Sequence, residues 1–256
     1  MPDACIGRAI IVVWRGGGHM TTSFVAFDIE TAKILPASVG DLLAHRPLGI
    51  ACAAAVVSGK SEAITWHGVQ DGKPSAQMSR AEVCSMTEQL TSLVEEGHTL
   101  VTWNGLSFDF DVLAEESGLP SECAQLALDH VDMMFHAVCQ LGHYLSLGKA
   151  AEGLGVGGKT GSGSDAPVMW AEGRFDEVLR YNVQDARLTL AVAEESQRRG
   201  KLVWITARGQ ARSMPLSRGW CCVRDACQIP LPDTSWMDDP PSREDFMKWL
   251  PRGLRK

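Results

Sequence analysis

Residues 24–31 read Phe-Val-Ala-Phe-Asp-Ile-Glu-Thr, and no other stretch constrains the chain as tightly. Phe24 to Phe27 is an apolar run of strand length, with a β-branched valine and two aromatic residues. Asp28 and Glu30 follow at i and i+2, so on a strand they leave from the same face. Two like charges side by side at the end of a buried strand are costly unless a cation sits between them, and a divalent metal meets that need. An isolated Asp-x-Glu is more often a solvated turn, so the pair requires partners elsewhere in the chain.

Two further stretches supply them. Val101 to Asp111 reads as a strand end, a glycine turn at Gly105 and a helix start, with Asp109 in the first helical turn near its partly positive N-terminus. Arg180 to Asp185 lies in a helical pattern that places Tyr181 and Asp185, at i and i+4, on one face. Taken alone, that second stretch better suits a tyrosine at a core edge beside a solvated aspartate.

The 256 residues suit one sizeable domain with an appendage, and 45% apolar against 21% charged content leaves material for a core. The formal charge of −7 is uneven: from Lys201 onward ten basic residues face six acidic ones, so the body is the acidic part. Such a body argues against tight, non-specific nucleic-acid binding. It does not exclude a nuclease, whose carboxylates a bound metal neutralises. The eight cysteines form no C-x-x-C pair, no signal peptide is evident, and no run approaches the ~18–20 apolar residues of a membrane span. A reduced, cytoplasmic protein without a membrane partner is expected.

Residues 1–19 end in Gly16-Gly17-Gly18-His19 and read as a flexible appendage, with Met20 as a possible functional start. Strands are expected at about 23–29, 49–57, 62–67 and 99–103, with the second and third forming a hairpin. Helices are expected at about 79–96, 107–116, 121–141, 144–153 and 172–199, with a Gly/Ser-rich loop over 155–164. After the last strand of that set the pattern is helical only, which makes an α/β order.

Together, Phe27-Asp28-Ile29-Glu30-Thr31, Asn104-x3-Phe108-Asp109 and Tyr181-x3-Asp185 resemble the three motifs of the DEDD superfamily of 3′-to-5′ exonucleases. The likeness is to its tyrosine (DEDDy) type, close to the proofreading domains of family B DNA polymerases and their stand-alone relatives. The histidine type would need His at 180, where this chain has Arg. The resemblance covers about residues 23–195. It implies an RNase H-like fold with a mixed central sheet flanked by helices, over 20–200, followed by a basic C-terminal extension over 201–256. It also implies a metal-dependent 3′-to-5′ exonuclease that hydrolyses single-stranded nucleic acid, DNA in preference to RNA, to nucleoside 5′-monophosphates. Any proofreading or repair would be in trans with a polymerase or repair partner.

The residue chemistry agrees. Asp28, Glu30, Asp109 and Asp185 form an all-oxygen set suited to Mg²⁺ or Mn²⁺. Two such ions roughly 3.5–4 Å apart clamp the attacking and leaving oxygens of a phosphoryl displacement. By the resemblance, Tyr181 orients or helps deprotonate the attacking water, Thr31 and Asn104 touch the terminal nucleotide, and Leu106 or Phe108 stacks on it. The alternatives are an RNA-processing exonuclease on the same fold and a non-catalytic nucleic-acid-binding module.

Three other features compete. Gly153 to Thr160 matches the letters of a phosphate-binding P-loop, but a helical pattern precedes it and Gly/Ser residues follow, which is the wrong context; Lys159 reaching a phosphate of the exonuclease substrate is the better use of it. Asp111 is expected to be solvated. Lys201 to Arg224 interleaves five cations with Trp204 and Trp220; a hairpin there would either track a strand by phosphate contacts and stacking, or pack both tryptophans onto the body with the arginines solvated, and the sequence suits both equally.

Overall fold

The computed structural model describes residues 22–36, 38–158 and 163–254. The expected N-terminal appendage and Lys159 lie outside them.

Strand β1 (Phe24–Thr31) is the centre of the molecule. Its side chains alternate: Val25, Phe27 and Ile29 enter one core layer, while Phe24 and Ala26 enter the other. Asp28 and Glu30 continue the second series. Strand β2 (Ile50–Val57), buried along its whole length, runs antiparallel to β1, and β3 (Ala63–His67) runs antiparallel to β2, the hairpin expected from the sequence. A small ribbon, β4 (Val69–Gln70) with β5 (Lys73–Pro74), leads to helix α1 (Arg80–Glu95). Ser79 caps α1 in a reciprocal box with Glu82, and Val83, Met86 and Leu90 form its buried stripe.

Strand β6 (Thr99–Thr102) returns parallel to β1, and helices α2 (Asp109–Ser117) and α3 (Pro120–Asp129) follow. The next element corrects the sequence reading. A single helix over 121–141 is interrupted by β7 (Val131–Asp132), which adds a parallel strand beside β6 before helix α4 (Met133–Leu141) begins. The interruption has a local cause: Asp132 adopts extended backbone and its carboxylate accepts the N–H of Phe135, capping α4. The helical pattern there contains no glycine or proline to announce it. The sheet order is therefore β3-β2-β1-β6-β7, mixed, with helices on both faces.

Helix α5 (Leu147–Leu154) precedes the Gly/Ser-rich stretch, and a short α6 (Ala166–Ala171), absent from the sequence reading, precedes the long α7 (Phe175–Arg199). Helix α7 lies across β1 and β2, where Ala26 and Ala54 share a core cluster with its Ala186 and Ala193. Small side chains on both surfaces let helix and sheet approach closely. The antiparallel hairpin β8 (Lys201–Ile205) and β9 (Ala211–Pro215) follows, then two short helices, α8 (Val223–Ala226) and α9 (Arg243–Phe246), and a 3-10 turn over Arg252–Leu254 ends the described chain. Val223, Phe246 and Leu250 are buried in the same core layer as Phe27. Among the described residues no helix is long and apolar enough to cross a membrane.

Candidate active site

Strands β1 and β6 pair only from Phe24/Thr99 to Ala26/Val101. Beyond Ala26 the Ile29 N–H, no longer part of that ladder, is taken by the Asp109 carboxylate at 3.1 Å. The first turn of α2 is thereby fixed to β1 between Asp28 and Glu30. From the other side, Asn182 on α7 donates its side-chain amide to Asp28 at 2.7 Å.

The result is a cavity of about 450 Å³ at the C-terminal end of β1, lined by Asp28, Glu30, Asp109, Tyr181 and Asp185 together. Open α/β sheets present such crevices at the carboxyl ends of their strands. Glu30, Asp109 and Asp185 are 7%, 6% and 5% exposed, so all three acids are nearly withdrawn from water. Burial pushes the Asp109 carboxyl up to about 7, opposed by the N–H donors of Ile29 and of Asp109 itself and reinforced by the Asp132 carboxylate. Among the described residues no cationic side chain pairs with Asp109.

The Tyr181 phenol is raised well above its ordinary range by burial first, then by the charges of Asp185 and Glu30, and it is hydrogen-bonded to Asp185. A methyl group built on Gly163 would lie 3.7 Å from the Tyr181 hydroxyl and 3.9 Å from a Glu30 oxygen, so both groups face one small space. Cys52, opposite Glu30 in the β1–β2 register, keeps its thiol protonated through burial and the nearby Glu30 and Asp28 charges.

The donor set fits hard divalent cations: carboxylates only at the floor, and at Asp109 a buried acid whose anion needs a cation. As they stand, no three His, Cys, Asp or Glu side chains among the described residues form a metal cluster. Three of the acids are each held by a donor of their own: Asp28 by Asn182, Asp109 by Ile29, and Asp185 by Tyr181.

Thr31, Asn104 and Phe108 also line the cavity. Leu106 does not. It is fully buried, because the turn after β6 points it into the core, and it cannot stack on a ligand in this geometry. That turn has its own scaffold. Asn104 sits at φ +75°, the left-handed region that asparagine tolerates, and both its N–H and that of Leu106 are accepted by the Asp132 carboxylate, at 3.0 and 2.9 Å. Asp132 thus orders the turn and caps α4 at once.

Asp111, expected to be solvated, is 7% exposed and ion-paired to Arg46, which also reaches Glu115 at 2.7 Å. Arg46 lies near the end of the long β1–β2 loop, and Leu35, Val39 and Leu42 of that loop line the cavity together with Trp103 and Phe108. Neither wall nor clamp was read from the sequence. Asn182 had a signal, since it adjoins Tyr181 in the motif; the loop had none.

The competing features resolve otherwise. Helix α5, not a strand, runs into Gly153, whose missing side chain is filled by β8: a Cβ there would stand 2.5 Å from Trp204 Cα. Trp204 and Trp220 are 7% and 9% exposed, with Trp220 edge-on to His136, so neither ring is available to stack bases.

Comparison with known proteins gives three findings. A family model described as the RNase_H superfamily matches residues 55–197. Among solved structures, the family B DNA polymerase from the hyperthermophilic archaeon Pyrobaculum calidifontis is similar over 71% of this chain, at TM-score 0.52 and 19% identity; the matched chain spans 25% of the polymerase. No curated protein matches.

Proposed function

The chain belongs to the RNase_H superfamily, and from that premise we propose that it is a metal-dependent 3′-to-5′ exonuclease of the DEDDy type acting on single-stranded nucleic acid, DNA before RNA. The observation that carries this reading is the arrival of Asp28, Glu30, Asp109, Tyr181 and Asp185, from three separate segments, in one cavity. Asp28, Glu30 and Asp185 would hold one divalent cation, with Asp28 shared and Asp109 directed to a second. When bound, two Mg²⁺ or Mn²⁺ ions supply the positive charge that activates water and offsets charge developing on the phosphate oxygens.

The chain's own residues do the rest. Tyr181, hydrogen-bonded to Asp185, would orient the attacking water or help deprotonate it. Asn182 and the Ile29 N–H hold Asp28 and Asp109 in place, so the carboxylates do not have to be ordered at each turnover. Asn104 presents a polar contact and Phe108 an aromatic one to a terminal nucleotide. The apolar side chains of Ile34, Leu42 and Val168, exposed on the loop and α6 segments that also supply lining residues, offer surfaces for unpaired bases, which supports a single strand over a duplex. A cytoplasmic enzyme working beside a polymerase or repair protein would use such an activity in trans.

The test is incubation with 5′-labelled single-stranded DNA and RNA of matched sequence, with Mg²⁺, Mn²⁺ or chelator. A metal-dependent ladder shortening from the 3′ end is expected, faster on DNA. Absence of cleavage on either strand in either metal would overturn the reading.

A further inference from the structure

The family match ends at residue 197, yet the chain returns to the catalytic end 50 residues later. The indole N–H of Trp249 donates to the carbonyl of Leu106 at 2.6 Å. The same turn has its N–H groups at Asn104 and Leu106 held by Asp132, so Asp132 fixes one side of it and Trp249 the other. Two residues further on is Phe108, in the cavity wall, and then Asp109. Helix α2, which starts there, has no side-chain cap at Phe108, so its first turn lacks the usual local anchor.

The segment that carries Trp249 is itself firmly seated. The Arg243 guanidinium donates to the carbonyls of Cys227 at 2.7 Å, Ile229 at 2.6 Å and Cys139 at 3.3 Å, joining α9 to the end of α4. Phe246 and Leu250 are buried, with Phe246 packed on Phe135 at 5.2 Å between ring centroids. On its outer side Lys248, bridged to Asp245 at 2.8 Å, also feels the charge of Asp41. Asp41 caps the short turn Leu42–His45 in the β1–β2 loop, whose Leu42 also lines the cavity.

We propose that Trp249 is a positioning residue of the nuclease site and that residues 243–250 form a built-in buttress of its cleft, fixing the turn from Asn104 to Asp109 through the Leu106 carbonyl. The mechanism it serves rests on the exonuclease reading, but the mechanical role does not. Trp249→Phe keeps an aromatic ring, though a smaller one, and removes the N–H. Trp220→Phe is the control: it removes an indole N–H that donates at 3.0 Å to Ser196 on the far half of α7, outside the cavity.

Three measurements on the full chain separate the outcomes: amide hydrogen exchange at residues 104–110, Mn²⁺ affinity by titration, and kcat and KM on a short single-stranded DNA. Trp249→Phe is expected to speed exchange in that turn, weaken Mn²⁺ binding about tenfold and lower kcat about tenfold with KM little changed, as loss of an outer partner of a metal site does. Trp220→Phe should leave all three at wild-type values. Arg243→Lys, which loosens the segment while leaving Trp249 intact, should give the same pattern more weakly, and decides the matter if Trp249→Phe does not fold. Unchanged exchange in the turn, or equal changes in Trp249→Phe and Trp220→Phe, would overturn the proposal. If the wild-type protein neither cleaves nor binds Mn²⁺, the exonuclease reading fails while exchange still decides the buttress.

Discussion

Asn182 donates its side-chain amide to the Asp28 carboxylate at 2.7 Å, across 154 residues of sequence, and is itself wholly buried. Among the described residues its oxygen has no hydrogen-bond partner. A buried amide left half-satisfied is a cost that the fold accepts to hold one carboxylate in place. Asn182→Ala should therefore weaken Mn²⁺ binding by about 10–100-fold, while thermal unfolding in chelator shifts only modestly. An unchanged Mn²⁺ titration would show that Asp28 is positioned by β1 alone.

Removal of a ligand and removal of a hydroxyl should differ. Asp28→Ala or Asp185→Ala is expected to reduce turnover on single-stranded DNA to background, with strand binding weakened but measurable. Tyr181→Phe should fold normally and lose roughly 10–10³ in rate, at or below the range for a group that assists proton transfer. Wild-type turnover in Tyr181→Phe would remove its water-orienting role and leave the metal assignment standing.

The raised Asp109 pKa makes stability depend on pH in a definite direction. Folded, this carboxyl holds its proton up to about 7; unfolded, it releases it near an ordinary value of about 4. Below that window both states are protonated and the group makes no difference. Through the window the unfolded chain sheds its proton first, so stability falls as pH rises, and above about 7 the whole penalty is present. In chelator, the unfolding temperature of wild type relative to Asp109→Asn should drop between pH 5 and pH 8. Mg²⁺ should restore more stability at pH 8 than at pH 5. A difference constant across that range would mean that Asp109 ionises normally.

The β1–β2 loop is tied to α2 by Arg46 on Asp111 and Glu115, and by the Gly49 N–H on Glu116 at 2.8 Å. Arg46→Ala leaves the mostly buried Asp111 without its counter-ion, at a cost of roughly 1–3 kcal/mol. Because the loop forms a wall and holds none of the four acids, KM for single strands should rise several-fold with kcat nearly preserved. The double variant Arg46→Ala/Asp111→Asn should recover part of the stability in a thermodynamic cycle. Additive losses would show that the pair is not coupled.

The sequence alone determined what local pattern and short spacing can determine. Alternation along Phe24 to Glu30 put two carboxylates on one face, the Ser79–Glu82 box started α1, and the i, i+4 spacing joined Tyr181 to Asp185, because each of these depends on neighbours a few residues away. An α/β order was legible from the pattern of strands and helices, and the RNase H-like mixed sheet was what the resemblance of the three motifs implied. Tertiary structure decided the rest. Asp132 interrupts the helical pattern over 121–141 because its carboxylate accepts the distant N–H groups of Asn104 and Leu106 together with the local one of Phe135; Asp111 is buried because Arg46 arrives from 65 residues away; Leu106 turns inward with its N–H held by Asp132 and its carbonyl by Trp249. The tryptophans at 204 and 220 looked equally suited to stacking bases or filling a core, and only the packing of α5, α7 and the β8–β9 hairpin chose the core. Which face a side chain presents follows from its own strand or helix, but what it meets there is set by segments that local pattern does not encode.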